Sequence, residues 1–156
     1  MALEEQLVDL LIKKGYHISF AESCTGGLCC GTLVNVANAS KVLDMSFVTY
    51  ANEAKIELIG VSADTILANG VVSEEVAAEM SQGVANRAKS AIGVGITGVA
   101  GPTGGTAKKP VGMVCFGFCI NGKTKTYTKL FGEIGRNQVR KASVEFVFKT
   151  LIDLLK

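Results

Sequence analysis

The order in which strand-like and helix-like segments follow one another constrains this chain more than any other feature. Leu3, Leu7, Leu10 and Leu11 stand at helical spacing with Gly15 just beyond Lys14, which predicts an amphipathic helix over 3–14 and its stop. Residues 17–22 read as a short strand, 28–36 as a helix, and 44–51 as a strand. A short helix over 53–59 follows, capped by Asn52 and ended by Gly60. Ser62 is placed as the cap of another short helix ending near Gly70, and Ser73-Glu74-Glu75 opens a longer one with an acidic first turn. The apolar run 91–97 is a buried strand. Asn121-Gly122 joins strands 111–120 and 123–131 in a hairpin, and 137–155 closes the chain as a helix.

Strands that alternate with helices through the first two-thirds of a chain imply parallel pairing with helices on both faces. The hairpin then forces one antiparallel strand. The expected class is α/β, a mixed and mostly parallel sheet, in a single domain over 1–156 with no repeat or linker.

Composition narrows the functions open to such a fold. With 48% hydrophobic residues, 156 residues can bury a core without metal or disulfide staples. A net charge of +2 and the lack of any basic run argue against nucleic acid as a partner. Apolar stretches are strand-sized and the N-terminus lacks a signal-peptide layout, so no membrane partner and a cytoplasmic location are expected. Five cysteines (24, 29, 30, 115 and 119) form no Cys-x-x-Cys pair, and His17 is the one histidine. Free buried thiols are the expectation, with neither metal nor cofactor.

Four segments could carry chemistry. In Glu22-Ser23-Cys24-Thr25-Gly26-Gly27, between strand and helix, a serine could act as nucleophile with helix N–H groups receiving an oxyanion. The same segment could cradle a phosphate, or Ser23 or Thr25 could simply cap the helix. Tyr50-Ala51-Asn52-Glu53-Ala54-Lys55 supplies Lys55, a candidate base if burial lowers its pKa. A serine hydrolase here would need lysine, since His17 begins a strand, away from the carboxyl end. The glycine-rich run from Thr97 to Gly105 follows a buried strand and belongs at the same sheet edge if the strands are parallel. Arg136 and Arg140, four apart, share a helix face and suit bidentate anion contact.

Taken in order, AESCTGG, VTYANEAK, ITGVAGPTGG, KPVG and the late arginine pair resemble the CinA C-terminal-domain family over nearly the whole chain. Active members of that family are nicotinamide-nucleotide amidohydrolases, and the chain is similar to the stand-alone form. The resemblance implies a three-layer α/β/α sandwich of anticodon-binding-domain-like architecture. It implies a cytoplasmic enzyme of pyridine nucleotide salvage, a homo-oligomer that hydrolyses the carboxamide of nicotinamide mononucleotide. In that reading Ser23 is the nucleophile, Lys55 its proton acceptor and Tyr50 a helper in orienting or relaying protons. Thr25, Gly26, Gly27, Thr97, Gly98 and Gly101 would hold the substrate, and Arg136 its phosphate. The run Phe131-Gly132-Glu133-Ile134-Gly135-Arg136 departs from the family's shorter, aspartate-bearing pattern, so Arg140 could take the place of Arg136. A non-catalytic nucleotide-binding or regulatory module is the alternative.

Overall fold

The computed structural model describes every residue from Met1 to Lys156. Helices and strands follow in the order α1 (Leu3–Lys14), β1 (Ile18–Glu22), α2 (Leu28–Leu33), β2 (Leu43–Val48), α3 (Asn52–Ile59), α4 (Ala63–Asn69), α5 (Glu74–Ala88), β3 (Ile92–Gly98), β4 (Met113–Ile120), β5 (Lys123–Leu130) and α6 (Arg136–Leu155). The strands form one sheet in the order β2-β1-β3-β4-β5. β1 pairs parallel with β2 and β3, whereas β4 runs antiparallel to both β3 and β5. Only β4 therefore runs against the rest, as expected of the hairpin, and positive φ at both Asn121 and Gly122 closes its turn. No helix is long and apolar enough to cross a membrane.

The two faces of the sheet are built differently. On one, Phe20, Val94, Phe116 and Phe118 pack with Leu7 and Leu11 of α1, Leu33 of α2, and Val147, Phe148 and Leu151 of α6. On the other, α5 lies so close that the strands beneath it can carry only small side chains. A Cβ added at Gly95 would sit 2.7 Å from the Met80 Cβ and 2.8 Å from the Ser81 nitrogen, and one at Gly117 would collide with the Ala77 carbonyl. Outside α5, Ile59 of α3 and Val61 pack with Val76, Met80 and Val84. The result is the expected α/β/α sandwich.

Several boundaries differ from the pattern-based reading. β2 ends at Val48, three residues short of Ala51, and β4 begins at Met113 rather than Val111. Asn52 is the first residue of α3, and Ala51 occupies the cap position. Helix α2 stops at Leu33, because Val34, Asn35 and Val36 are poor helix formers and turn instead into a 3-10 segment at Ala39–Lys41. Ser62 precedes α4 without a side-chain cap bond; its N–H donates to Glu79 Oε1 at 2.8 Å.

Parallel pairing brings the carboxyl ends of β1, β2 and β3 to one edge of the sheet, and the register Gly98↔Val114 and Met113↔Leu130 adds the start of β4 and the end of β5. All four chemistry-bearing segments therefore converge there. Packing of α5 predicts opposite responses at two glycines. Gly95→Ala should lower unfolding free energy by about 1–3 kcal/mol through overpacking. Gly31→Ala in α2, where nothing lies within 4 Å, should raise it by about 0.5 kcal/mol. Urea denaturation of both variants checks the pair.

Candidate active site

Ser23 is the first residue past β1, and its position is fixed from both sides. Its N–H donates to the Ile96 carbonyl of β3 at 3.1 Å, and the preceding Glu22 carbonyl accepts the Thr49 N–H beyond β2 at 2.8 Å. The side chain is buried, with 9% of the residue exposed. Lys55, in the first turn of α3, runs back under the 49–51 connection and is only 1% exposed. Its Nζ lies 3.2 Å from Ser23 Oγ, 2.7 Å from the Thr49 carbonyl and 3.2 Å from the Tyr50 carbonyl. No carboxylate pairs with it.

This set of neighbours has a chemical consequence. A neutral amine has two N–H groups and one lone pair. The carbonyls can only accept, so in the neutral amine they take the two N–H groups and leave the lone pair toward the Ser23 hydroxyl, whereas the ammonium donates an N–H group to each of the three oxygens. Burial without a counter-charge lowers the Lys55 pKa from its ordinary 10.5, with the Cys24 sulfur acting weakly the other way. Burial also pushes the Cys24 thiol up to about 12, so the cysteine beside Ser23 is a neutral thiol. All five cysteines are free; four are buried and Cys30 is half-buried.

Ser23 and Lys55 open onto a cleft of about 260 Å³. Tyr50, Asn52, Thr97, Gly98, Gly101 and Arg136 also line it, along with Cys24, Val71, Val72 and the loop as far as Gly104. That volume lies just below the usual ~300 Å³ lower bound for small-molecule sites, which suits a small, polar ligand with part of its length in solvent. Thr97 is pinned by donating its hydroxyl to the Val71 carbonyl at 3.0 Å. Arg136, at the first position of α6, donates to the Gly101 carbonyl at 2.8 Å and to the Tyr50 hydroxyl at 2.9 Å. A larger depression of about 530 Å³ between α3 and α5 holds no nucleophile and shares no residue with this cleft.

Four residues expected at the ligand lie elsewhere. Thr25, Gly26, Gly27 and Arg140 do not line the cleft. Gly26 and Gly27 take positive φ to turn the chain back from β1 into α2. The guanidinium of Arg140 donates from Nε to the Cys24 carbonyl at 3.1 Å and from Nη2 to the Thr25 carbonyl at 3.0 Å, so its fork is spent on backbone. The start of α2 is not free for an anion either. Fully buried Glu22 accepts the Cys29 and Cys30 N–H groups at 2.9 and 3.0 Å. The carboxylate just before Ser23 thus satisfies the N–H groups from which an oxyanion site was expected. That role follows from Glu22 pointing to the α2 side of β1, which strand alternation alone does not connect to a helix start. His17 lies at the far edge, with Nδ1 2.6 Å from Asp44 Oδ1. No group of three or more His, Cys, Asp or Glu side chains comes together as a metal site.

Comparisons with known proteins place the chain among relatives. The sequence model of the CinA C-terminal domain matches residues 1–155. A CinA-like protein of Kosmotoga olearia is 47% identical over 99% of this chain, and one of Fervidobacterium nodosum is 45% identical over 96%. The chain spans 38% and 36% of their respective lengths. Among solved structures, the competence/damage inducible protein CihA from Agrobacterium tumefaciens superposes with a TM-score of 0.92 at 38% identity, covering 100% of this chain and 98% of that one. A competence or damage-inducible protein from Enterobacter asburiae gives 0.95 at 33% identity, covering 99% and 96%.

Because the folded amine holds its proton less readily than the unfolded one, the unfolded chain binds more protons between the lowered folded pKa and 10.5. Stability therefore rises with pH across that window, and the penalty is complete below it. Measured by urea denaturation, wild type should gain unfolding free energy relative to Lys55→Met as pH climbs toward 10.5. A constant offset at every pH would show that Lys55 ionises as it does in water.

Proposed function

The chain belongs to the CinA C-terminal-domain family, and on that premise we propose that it is an amidohydrolase that converts nicotinamide mononucleotide to nicotinic acid mononucleotide and ammonia. One observation carries the catalytic part of this reading: the buried Lys55 amine 3.2 Å from Ser23 Oγ, with two carbonyls taking its N–H groups. The choice of substrate rests on the family resemblance. In this reading residues 1–156 are one cytoplasmic domain of pyridine nucleotide salvage, acting as a homo-oligomer without nucleic-acid or membrane partners.

The reaction proceeds in two halves. Ser23 Oγ attacks the carboxamide carbon while its proton passes to Lys55 Nζ. The tetrahedral intermediate collapses, the C–N bond breaks, and the departing nitrogen takes the proton from Lys55 and leaves as ammonia. Water then attacks the ester on Ser23, again giving a proton to Lys55. The second collapse returns that proton to Ser23 and releases the carboxylic acid. Arg136 and Tyr50, tied at the cleft wall, serve the ligand: the guanidinium keeps further N–H groups for a phosphate beyond those on Gly101 and Tyr50. A purely nucleotide-binding module would keep the cleft and the arginine. It would gain nothing from burying an amine with no counter-charge against a serine, a costly arrangement that suits catalysis.

Ammonia release from nicotinamide mononucleotide tests the reading. Ser23→Ala should lower kcat by roughly 10³-fold or more, and Lys55→Met by roughly 10²–10⁴-fold. Binding of the mononucleotide with no turnover by wild type would favour the module. Since only the neutral amine accepts the serine proton, kcat should rise with pH through the lowered Lys55 pKa and level off above it. A rate that stays flat from mildly acidic to alkaline pH would remove Lys55 as the base.

A further inference from the structure

The turn after Ser23 contains an arrangement that this mechanism does not explain. In a trans peptide the C=O and N–H point in opposite directions. The Ser23 carbonyl accepts the Gly26 N–H at 2.9 Å, and the Cys24 carbonyl accepts Nε of Arg140 at 3.1 Å. The next carbonyl, of Thr25, accepts the Leu28 N–H at 3.0 Å and Nη2 of Arg140 at 3.0 Å. Two N–H groups on the other side of the first two units, those of Cys24 and Thr25, have no acceptor in the protein. Neither is at the surface, since Cys24 is 5% exposed and Thr25 fully buried. The Thr25 hydroxyl is likewise buried without a partner. Buried backbone donors are almost always paired, and leaving two unpaired costs free energy unless a ligand completes them.

We propose that the Cys24 N–H group receives the developing oxyanion of the acyl carbon bound to Ser23, and that Arg140 is the positioning residue that holds the turn carrying it through the Cys24 and Thr25 carbonyls. The residue after a nucleophile is a recurrent source of such a donor, and Cys24 lines the cleft. The helix start cannot take this role, because Glu22 already occupies it. Glycine at position 26 fits the arrangement: a Cβ there would stand 3.5 Å from Arg140 Nη2, on a backbone with φ of 58°. Arg140 thus acts on the reaction through backbone, without touching the ligand.

This inference rests on Ser23 being an acylated nucleophile, and does not depend on which amide is the substrate. The test therefore follows acylation of Ser23 by p-nitrophenyl acetate, a small activated ester without phosphate or nucleotide, read by p-nitrophenolate release and by mass spectrometry of the Ser23 peptide. The variants are Arg140→Lys, which keeps the charge but not the fork, and Arg140→Ala with added guanidinium ion. Acylation should fall roughly 10²-fold in Arg140→Ala, fall less in Arg140→Lys, and recover in part with guanidinium, while thermal unfolding shows both variants folded. If wild type acylates Ser23 but leaves nicotinamide mononucleotide intact, the substrate reading fails and the role of Arg140 is still decided by these rates. Unchanged acylation in the folded variants overturns the proposal, as does a wild type whose Ser23 is not acylated. An Arg140 that instead gripped substrate phosphate would raise KM for the mononucleotide, leave kcat intact and leave the ester reaction unaffected. A variant that does not fold is replaced by Gly26→Ala, whose side chain disfavours the left-handed backbone the turn requires and should slow acylation in the same direction.

Discussion

A lysine amine buried without a counter-charge is the constraint around which the rest of this molecule is arranged. Holding Lys55 Nζ between the Thr49 and Tyr50 carbonyls requires the chain to leave β2 in one conformation and enter α3 within a few residues. Facing it with Ser23 requires β1 to end level with β2, which the pairing of Glu22 with Val48 provides. The contact thus couples strand register to chemistry. A slip of one residue in β1 would exchange its two faces, remove Ser23 from the amine and send Glu22 away from the start of α2.

The sheet supplies that level edge because its two faces meet different demands. Toward α1, α2 and α6 the strands present Phe20, Val94, Phe116 and Phe118, large side chains that fill a deep core. Toward α5 they present Ser19, Gly93, Gly95, Cys115 and Gly117, so that helix backbone and sheet backbone nearly touch. Close approach also lets β5 engage α5 through polar contacts, with Thr126 and Thr128 each donating to the Glu74 carboxylate at 2.6 Å. Glycines that would weaken an isolated strand are here the condition for packing α5. Part of the high glycine content thus serves this interface and the turns at the site, while other glycines, such as Gly15, Gly60 and Gly122, end helices or close the hairpin.

Local features of the sequence carried the architecture well. The helix over 3–14, the Asn-Gly hairpin and the strand-turn-helix at Ser23 each have a signature within a few neighbouring residues, and each is present. Ser23 and Lys55 were legible as a pair, since both follow strands that point the same way. Contacts without a local signature were not legible. Arg140 reaches the Cys24 carbonyl across 116 residues, and one carbonyl looks like any other in sequence. Glu22 resembles an acidic strand end until α2 folds back over it. The pairing of the two arginines suggested a shared anion, because residues four apart do share a helix face.

In the structure that shared face is divided by height along α6. Arg136, at the first turn, meets the cleft wall at Gly101 and Tyr50, while Arg140, one turn deeper, meets the turn after Ser23. One helix therefore ties together three segments that the sheet alone leaves separate: the turn following β1, the connection following β2, and the glycine-rich loop following β3. This explains why an altered run at 131–136 need not disturb the site. What matters is where α6 begins relative to the sheet edge, and that is set by its buried face, Val139, Val144, Val147 and Leu151 among the core residues. The core, more than the preceding loop, decides where both guanidinium groups arrive.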